Sequence, residues 1–251
     1  MKKRVDVLLV ERGLAESREK ARAIVMAGEV FSGEVRVDKA GAQLAEDAPL
    51  EVRSDPNPYV SRGGLKLAGA LDVFAFDPTA LVAADIGAST GGFTDVLLQR
   101  GATRVYAIDV GRGQLHGKLR SDPRVVVMER TNARHLQADS LPEAVDLVVI
   151  DASFIGLEKL LGGVCAILKP GGAVVALVKP QFEVGRERVG KGGVVRDPNA
   201  RRDAIDAVRA ATERAGFVVR GECDSSIRGP QGNLEAFLWL EFQGPREEKS
   251  E

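Results

Sequence analysis

The run Asp85-Ile86-Gly87-Ala88-Ser89-Thr90-Gly91-Gly92-Phe93-Thr94 constrains this chain more than any other stretch. The apolar segment Leu81-Val82-Ala83-Ala84 before it reads as a buried strand, and Thr94-Asp95-Val96-Leu97-Leu98 reads as a helix. A strand, a glycine-rich turn and a helix let backbone approach a nucleotide-like ligand closely. The glycines fall as G-x-x-x-G-G, not as G-x-G-x-x-G. That spacing speaks against a dinucleotide and leaves open a ligand without a pyrophosphate, such as S-adenosylmethionine.

Strand and helix patterns alternate around this turn. Strand candidates are Leu81–Asp85, Arg104–Asp109, Val125–Met128, Val145–Asp151, Ala173–Lys179, Phe217–Arg220 and Glu235–Glu241. Helices fall between most of them, including Leu157–Leu168 and Ala200–Ala215, and Leu65–Phe74 precedes the first strand with Ser61 as its cap. The alternation predicts an α/β fold with a doubly wound, Rossmann-like seven-stranded sheet. A Gly/Pro-rich loop joins the last two strands, which predicts a final antiparallel hairpin.

The first 53 residues have a different grammar. Val5–Val10 reads as a helix stopped by Gly13, and Ser17 caps a second helix, Arg18–Ala27, stopped by Gly28. Short β-branched pieces follow at Val30-Phe31, Val35-Arg36-Val37 and Leu50-Glu51-Val52. Arg18 and Arg22 share a helix face; on charge alone a solvated face is the commoner reading. Ser54-Asp55-Pro56-Asn57-Pro58 marks a linker. The expected division is a small α/β module at 1–55, a linker at 56–62, a large domain at 63–245 and a charged tail at 246–251.

Composition narrows the function classes. A net charge of −1 gives no global attraction to nucleic acid or anionic membrane, so any basic surface is local. Two cysteines, Cys165 and Cys223, and two histidines, His116 and His135, make neither a disulfide framework nor a metal site. No signal-peptide core or membrane-length apolar run is present, which predicts a soluble cytoplasmic protein.

In a doubly wound sheet, ligands bind beyond the carboxyl ends of the strands. Asp85, Asp109, Asn132 and Asp151 all sit at or just after such ends. Asp109 lies where an acid accepts ribose hydroxyls, and Asn132 is placed to read an adenine edge. Each alone reads as a cap or turn former; the four together around one glycine loop favour a cofactor site. Lys179 closes the apolar strand Val174–Val178, where it can orient or deprotonate a hydroxyl beside Asp151. Lys66 is a possible second cation, and Glu235 opens the last strand.

These residues, in this order, resemble the TlyA family of bacterial "hemolysin A" proteins, ribosomal RNA 2′-O-methyltransferases. The resemblance covers nearly the whole chain and includes Val60–Leu67, the 85–94 run, Glu129–Arg134, Leu177–Gly185 and Gly232–Glu235. It implies an RNA-binding module like that of ribosomal small-subunit protein four, joined to an FtsJ-like methyltransferase domain. It implies a catalytic tetrad of Lys66, Asp151, Lys179 and Glu235, with Asp151 and Lys179 orienting the nucleophile and Lys66 and Glu235 fixing the substrate sugar and Lys179. It implies S-adenosylmethionine held by Asp85, Gly87, Ala88, Ser89, Gly91, Gly92, Phe93, Asp109, Asn132 and Asp151. It implies ribosomal RNA as the partner, touched by the basic helix face of the first module; the candidate contacts are Arg4, Arg18, Arg22, Arg62, Arg186 and Arg188. The basic loop 185–193 reads either as a flap that closes over RNA or as a mobile solvent loop. The expected reaction is methyl transfer to a cytidine 2′-hydroxyl in ribosomal RNA, by a monomer without a metal. The rival readings are a nicotinamide oxidoreductase, a non-catalytic RNA-binding protein and a membrane-active hemolysin; the absence of any span or basic amphipathic stretch weighs against the last.

Overall fold

The structure is a computed structural model that describes residues 2–26, 28–53 and 57–244. Ala27, at the end of the expected second helix, Ser54-Asp55-Pro56 of the linker, and the tail 246–251 lie outside the described residues. The chain divides into two compact units, 1–58 and 59–251.

In the first unit, β1 (Lys2–Arg4) runs directly into α1 (Val5–Glu11), followed by α2 (Arg18–Met26), β2 (Val30–Ser32), β3 (Val35–Arg36), β4 (Gln43–Ala45) and β5 (Glu51–Val52). The Ser17 hydroxyl accepts from Lys20 N at 3.2 Å, so it caps α2 as its residue type predicts. Val5, Leu8 and Leu9 of α1 pack with Ala21 and Val25 of α2 and with Val30, Val37 and Leu50. The pairing of β1 with β4 was not expected from sequence, because Lys-Lys-Arg carries no strand signature. Backbone ladder bonds rather than apolar alternation hold this ribbon.

The second unit contains α3 (Arg62–Val73), β6 (Val82–Ile86), α4 (Gly92–Gln99), β7 (Arg104–Asp109), α5 (Gly117–Arg120), β8 (Val125–Glu129), β9 (Val145–Ile150), α6 (Leu161–Ile167), β10 (Leu168–Val178), α7 (Pro180–Glu183), α8 (Pro198–Arg214), β11 (Phe217–Asp224) and β12 (Ala236–Phe242). The seven strands form one sheet in the order β11-β12-β10-β9-β6-β7-β8. The pairs from β10 to β8 are parallel, and β12 runs antiparallel to both β10 and β11. The doubly wound fold and its terminal antiparallel pair are therefore as expected.

Side chains alternate across the sheet. Ala84, Ile86, Val148, Ile150, Val174 and Ala176 enter one core. Ala83, Leu147, Val149, Val175, Leu177 and Phe237 enter the other. Apolar residues on both faces make these strands near-continuous hydrophobic runs, as a sheet covered on both sides requires.

Two local expectations need correction. Ser61 occupies the cap position of α3 with extended backbone, but its side chain makes no capping hydrogen bond. The expected helix 157–168 is a 3-10 turn, Leu157–Leu160, followed by α6. A Cβ on Gly163 of α6 would collide with the Ala133 carbonyl, so glycine lets this helix approach the 133–135 turn.

Candidate active site

The strand order reverses direction around β6, which lies between β7 and β9. This switch point is where a parallel α/β sheet opens a crevice at its carboxyl edge. Gly87 follows β6 with φ +84, and a Cβ there would stand 2.6 Å from the Asp151 carbonyl oxygen. Glycine is therefore required by both conformation and space. Gly87 N and Ala88 N donate to Ile108 O at 2.9 and 3.2 Å, tying the loop to β7.

Beyond this turn lies a cleft of about 460 Å³, lined by Gly87, Ser89, Asp109, Asn132, Asp151 and Phe154 among others. Asp109 accepts Ser89 N at 2.8 Å on one oxygen and Gly111 N at 2.6 Å on the other. Each carboxylate oxygen retains a second lone pair for a hydroxyl. Asn132 accepts Arg134 N at 3.1 Å and so caps the 133–135 turn. Its Nδ2 group has no protein partner among the described residues, so capping and adenine reading are compatible. A glycine-cut cradle, an acid with spare lone pairs and an unpaired amide donor fit the adenosine part of S-adenosylmethionine.

A second cavity, of about 280 Å³, is lined by Arg62, Lys66, Asp85, Asp151, Lys179 and Arg228 among others. Gly87, Ser89, Asp151 and Ser153 line both cavities. At this seam Lys179 Nζ lies 2.5 Å from Asp151 Oδ1 and donates to Ser153 Oγ at 2.7 Å. Lys66 and Glu235 form a second pair, Nζ to Oε2 at 2.5 Å, with both side chains almost fully excluded from water. Lys66 is thus no exposed helix lysine, and Glu235 fixes Lys66 rather than Lys179. The four tetrad residues come together as two separate ion pairs. Among the described residues Glu235 Oε1 is buried without a hydrogen-bond partner.

Asp85 is fully buried at the end of β6. Its Oδ2 accepts Thr94 N at 2.9 Å and Thr94 Oγ1 at 2.6 Å, while Oδ1 has no hydrogen-bond partner among the described residues. Burial pushes its pKa up to about 7 against the pull of Thr94, and Asp151 adds to the rise.

The structure separates some residues that the resemblance groups together. Gly91 lines neither cavity; a Cβ there would strike Leu115 and Leu119. A Cβ on Gly92 would meet Gly64 N at 2.8 Å, so that glycine admits α3 against α4. Phe93 is 3% exposed and packs near Phe237, although it edges the second cavity. Arg62 lines the second cavity. Arg188 is tied to Asp203 at 2.8 Å, which holds this part of the 185–193 loop against α8. Arg186 lies with it in a 3-10 turn. Arg4, Arg18 and Arg22 converge in the first unit on the carboxylate of Asp6.

Sequence reasoning missed Ser153, Arg228 and Phe154. Phe154 is 90% exposed, with φ +66, and its ring packs at 5.2 Å on Phe182. All three sit in loops, where no periodicity marks them. The serine and aromatic immediately after Asp151 were the available signal.

Residues 59–242 match the FtsJ-like methyltransferase family, and residues 3–48 match the S4 domain. Fold and site together define a methyltransferase that carries an S4 domain, and its cofactor is S-adenosylmethionine. The 16S/23S rRNA (cytidine-2′-O)-methyltransferase TlyA of Mycobacterium tuberculosis is 47% identical over 97% of this chain and 91% of its own length. Hemolysin A of Brachyspira hyodysenteriae is 38% identical over 92% of this chain and 97% of its own. A solved Streptococcus thermophilus structure, provisionally named a hemolysin, shares 44% identity, covers 99% of this chain and 91% of that one, and superposes with a TM-score of 0.78. The chain belongs to the TlyA family. Among the described residues no helix is long and apolar enough to cross a membrane.

Proposed function

We propose that this protein methylates the 2′-hydroxyl of a cytidine in ribosomal RNA, working in the cytoplasm beside the ribosome. The name of the M. tuberculosis relative supports the substrate class. The observation that carries the reaction is the Lys179–Asp151 pair at the seam of the two cavities. Bound S-adenosylmethionine supplies an electrophilic methyl group. In our reading Gly87, Asp109 and Asn132 hold its adenosine part in the larger cleft.

The smaller cavity receives the target ribose. Arg62 and Arg228 at its lining suit the phosphodiester on either side of that sugar. Lys179 and Asp151 orient the 2′-hydroxyl, and the proton lost as the new O–C bond forms passes to this pair. Ser153 fixes the direction of the Lys179 ammonium. Lys66 lines the cavity, and Glu235, buried behind it, holds that ammonium in place. Holding a hydroxyl in line with the methyl supplies roughly 7–11 kcal/mol of the acceleration by positioning alone.

The test is Lys179→Ala, assayed for labelled methyl incorporation into unmethylated ribosomal subunits. Near-complete loss is expected, with cofactor affinity by calorimetry unchanged. Methylation at the wild-type rate would overturn the reading, and mass spectrometry of the product RNA locates the modified ribose.

A further inference from the structure

Asp6 has no exposed surface, yet it is charged and lies on the first turn of α1. Arg4 grips it with two hydrogen bonds, Nε to Oδ1 at 2.9 Å and Nη2 to Oδ2 at 3.0 Å. Arg18 Nη2 reaches Oδ2 at 3.1 Å, and Arg22 Nε reaches it at 3.3 Å. Three of these four donated hydrogen bonds converge on Oδ2 and one falls on Oδ1. The three guanidiniums hold Asp6 well below the usual carboxylate range, Arg4 foremost, so it stays ionised.

The three arginine side chains are 43%, 54% and 56% exposed. A guanidinium carries five N–H donors, so most donors of the group remain open to water. Three positive charges around one negative leave a local excess. Other cations of this unit are matched instead by exposed acids: Lys3 by Glu11, Arg36 by Asp38, and Arg53 by Glu51.

We infer that Asp6 is the positioning residue of a phosphate clamp: buried beneath Arg4, Arg18 and Arg22, it fixes their guanidiniums as a fan that engages successive phosphates of an RNA backbone. The inference rests on the RNA reading above. A fixed fan binds without first paying the rotamer entropy of three long side chains. Its consequence runs against simple charge counting. Asp6→Asn makes the protein more positive by one unit, which by screening arguments alone strengthens RNA binding. The clamp requires the reverse, because the amide cannot gather three cations and they splay apart.

The experiment measures affinity of the full-length protein for unmethylated ribosomal subunits over a series of salt concentrations. Asp6→Asn is expected to bind at least about tenfold more weakly, with a shallower salt dependence as phosphate contacts are lost. Asp6→Glu restores part of the affinity, and S-adenosylmethionine affinity stays unchanged in both. Leu8→Ala, a core change in the same unit, controls for stability: below its melting temperature it keeps wild-type affinity and salt slope. Undiminished binding by Asp6→Asn, beside weakened binding by Arg22→Ala, overturns the clamp alone. Full affinity in Arg22→Ala overturns the RNA assignment of this surface, and the clamp with it. A Leu8→Ala loss equal to that of Asp6→Asn reduces Asp6 to a structural role.

Discussion

Lys66 and Glu235 are bonded at 2.5 Å although 169 positions separate them in the chain, and both are buried. The pair ties α3 to the entrance of β12 beneath the smaller cavity. Removing one partner leaves an unpaired charge in the interior, a loss of about 3–5 kcal/mol. Glu235→Ala should therefore lower the urea midpoint strongly. The double variant Lys66→Met with Glu235→Leu should recover most of that stability and remain inactive. A double variant that methylates at the wild-type rate would remove the pair from the site's function.

Gly87→Ala and Gly91→Ala separate cofactor binding from packing. At Gly87 an added Cβ displaces the Asp151 backbone, so S-adenosylmethionine affinity should fall about tenfold or more, the equivalent of ~1.4 kcal/mol. At Gly91 it meets leucine side chains, so the melting temperature should fall more than the affinity. Calorimetric titration and thermal melting of both variants check the contrast.

Ser153 accepts from Lys179 Nζ at 2.7 Å. Ser153→Ala should lower kcat about tenfold and leave KM for ribosomal subunits near its original value, because the ammonium is misdirected only where the reaction happens. An equal change in KM would assign Ser153 to substrate binding instead.

Asp85 gives a pH dependence with a definite sign. Its pKa is raised by folding to about 7, so between roughly pH 4 and that value the folded chain holds a proton the unfolded chain has lost. Stability from this group falls as pH rises through the window, on the order of 4 kcal/mol in full. Asp85→Asn should flatten that part of the curve of unfolding free energy against pH. A carbon-NMR titration of the Asp85 carboxyl with a midpoint near 4 would sink the assignment.

The sheet was legible because its strands are buried on both faces and read as apolar runs ending in Asp85, Asp109 and Asp151. Strand ends at a switch point are also where α/β sheets bind ligands, so the candidate cofactor residues were drawn from the same pattern. The pairing within the tetrad was not legible. Lys66 and Glu235 meet through the placement of β12, which linear order does not disclose. Asp6 was hidden for a related reason: counted along the chain it offsets neighbouring arginines, whereas in space three of them converge on it. The ribbon of β1 and β4, and Ser153 in the loop after β9, lacked any periodic signal.

Because β12 lies inside the sheet, between β10 and β11, the sheet stays open at β10 and Lys66 lacks its partner until the segment 235–242 has been made. Glu235 arrives with that strand, after every other residue of the tetrad has left the ribosome. A growing chain can thus pair β6 to β9 before the strand that brings Glu235 to Lys66 has been made.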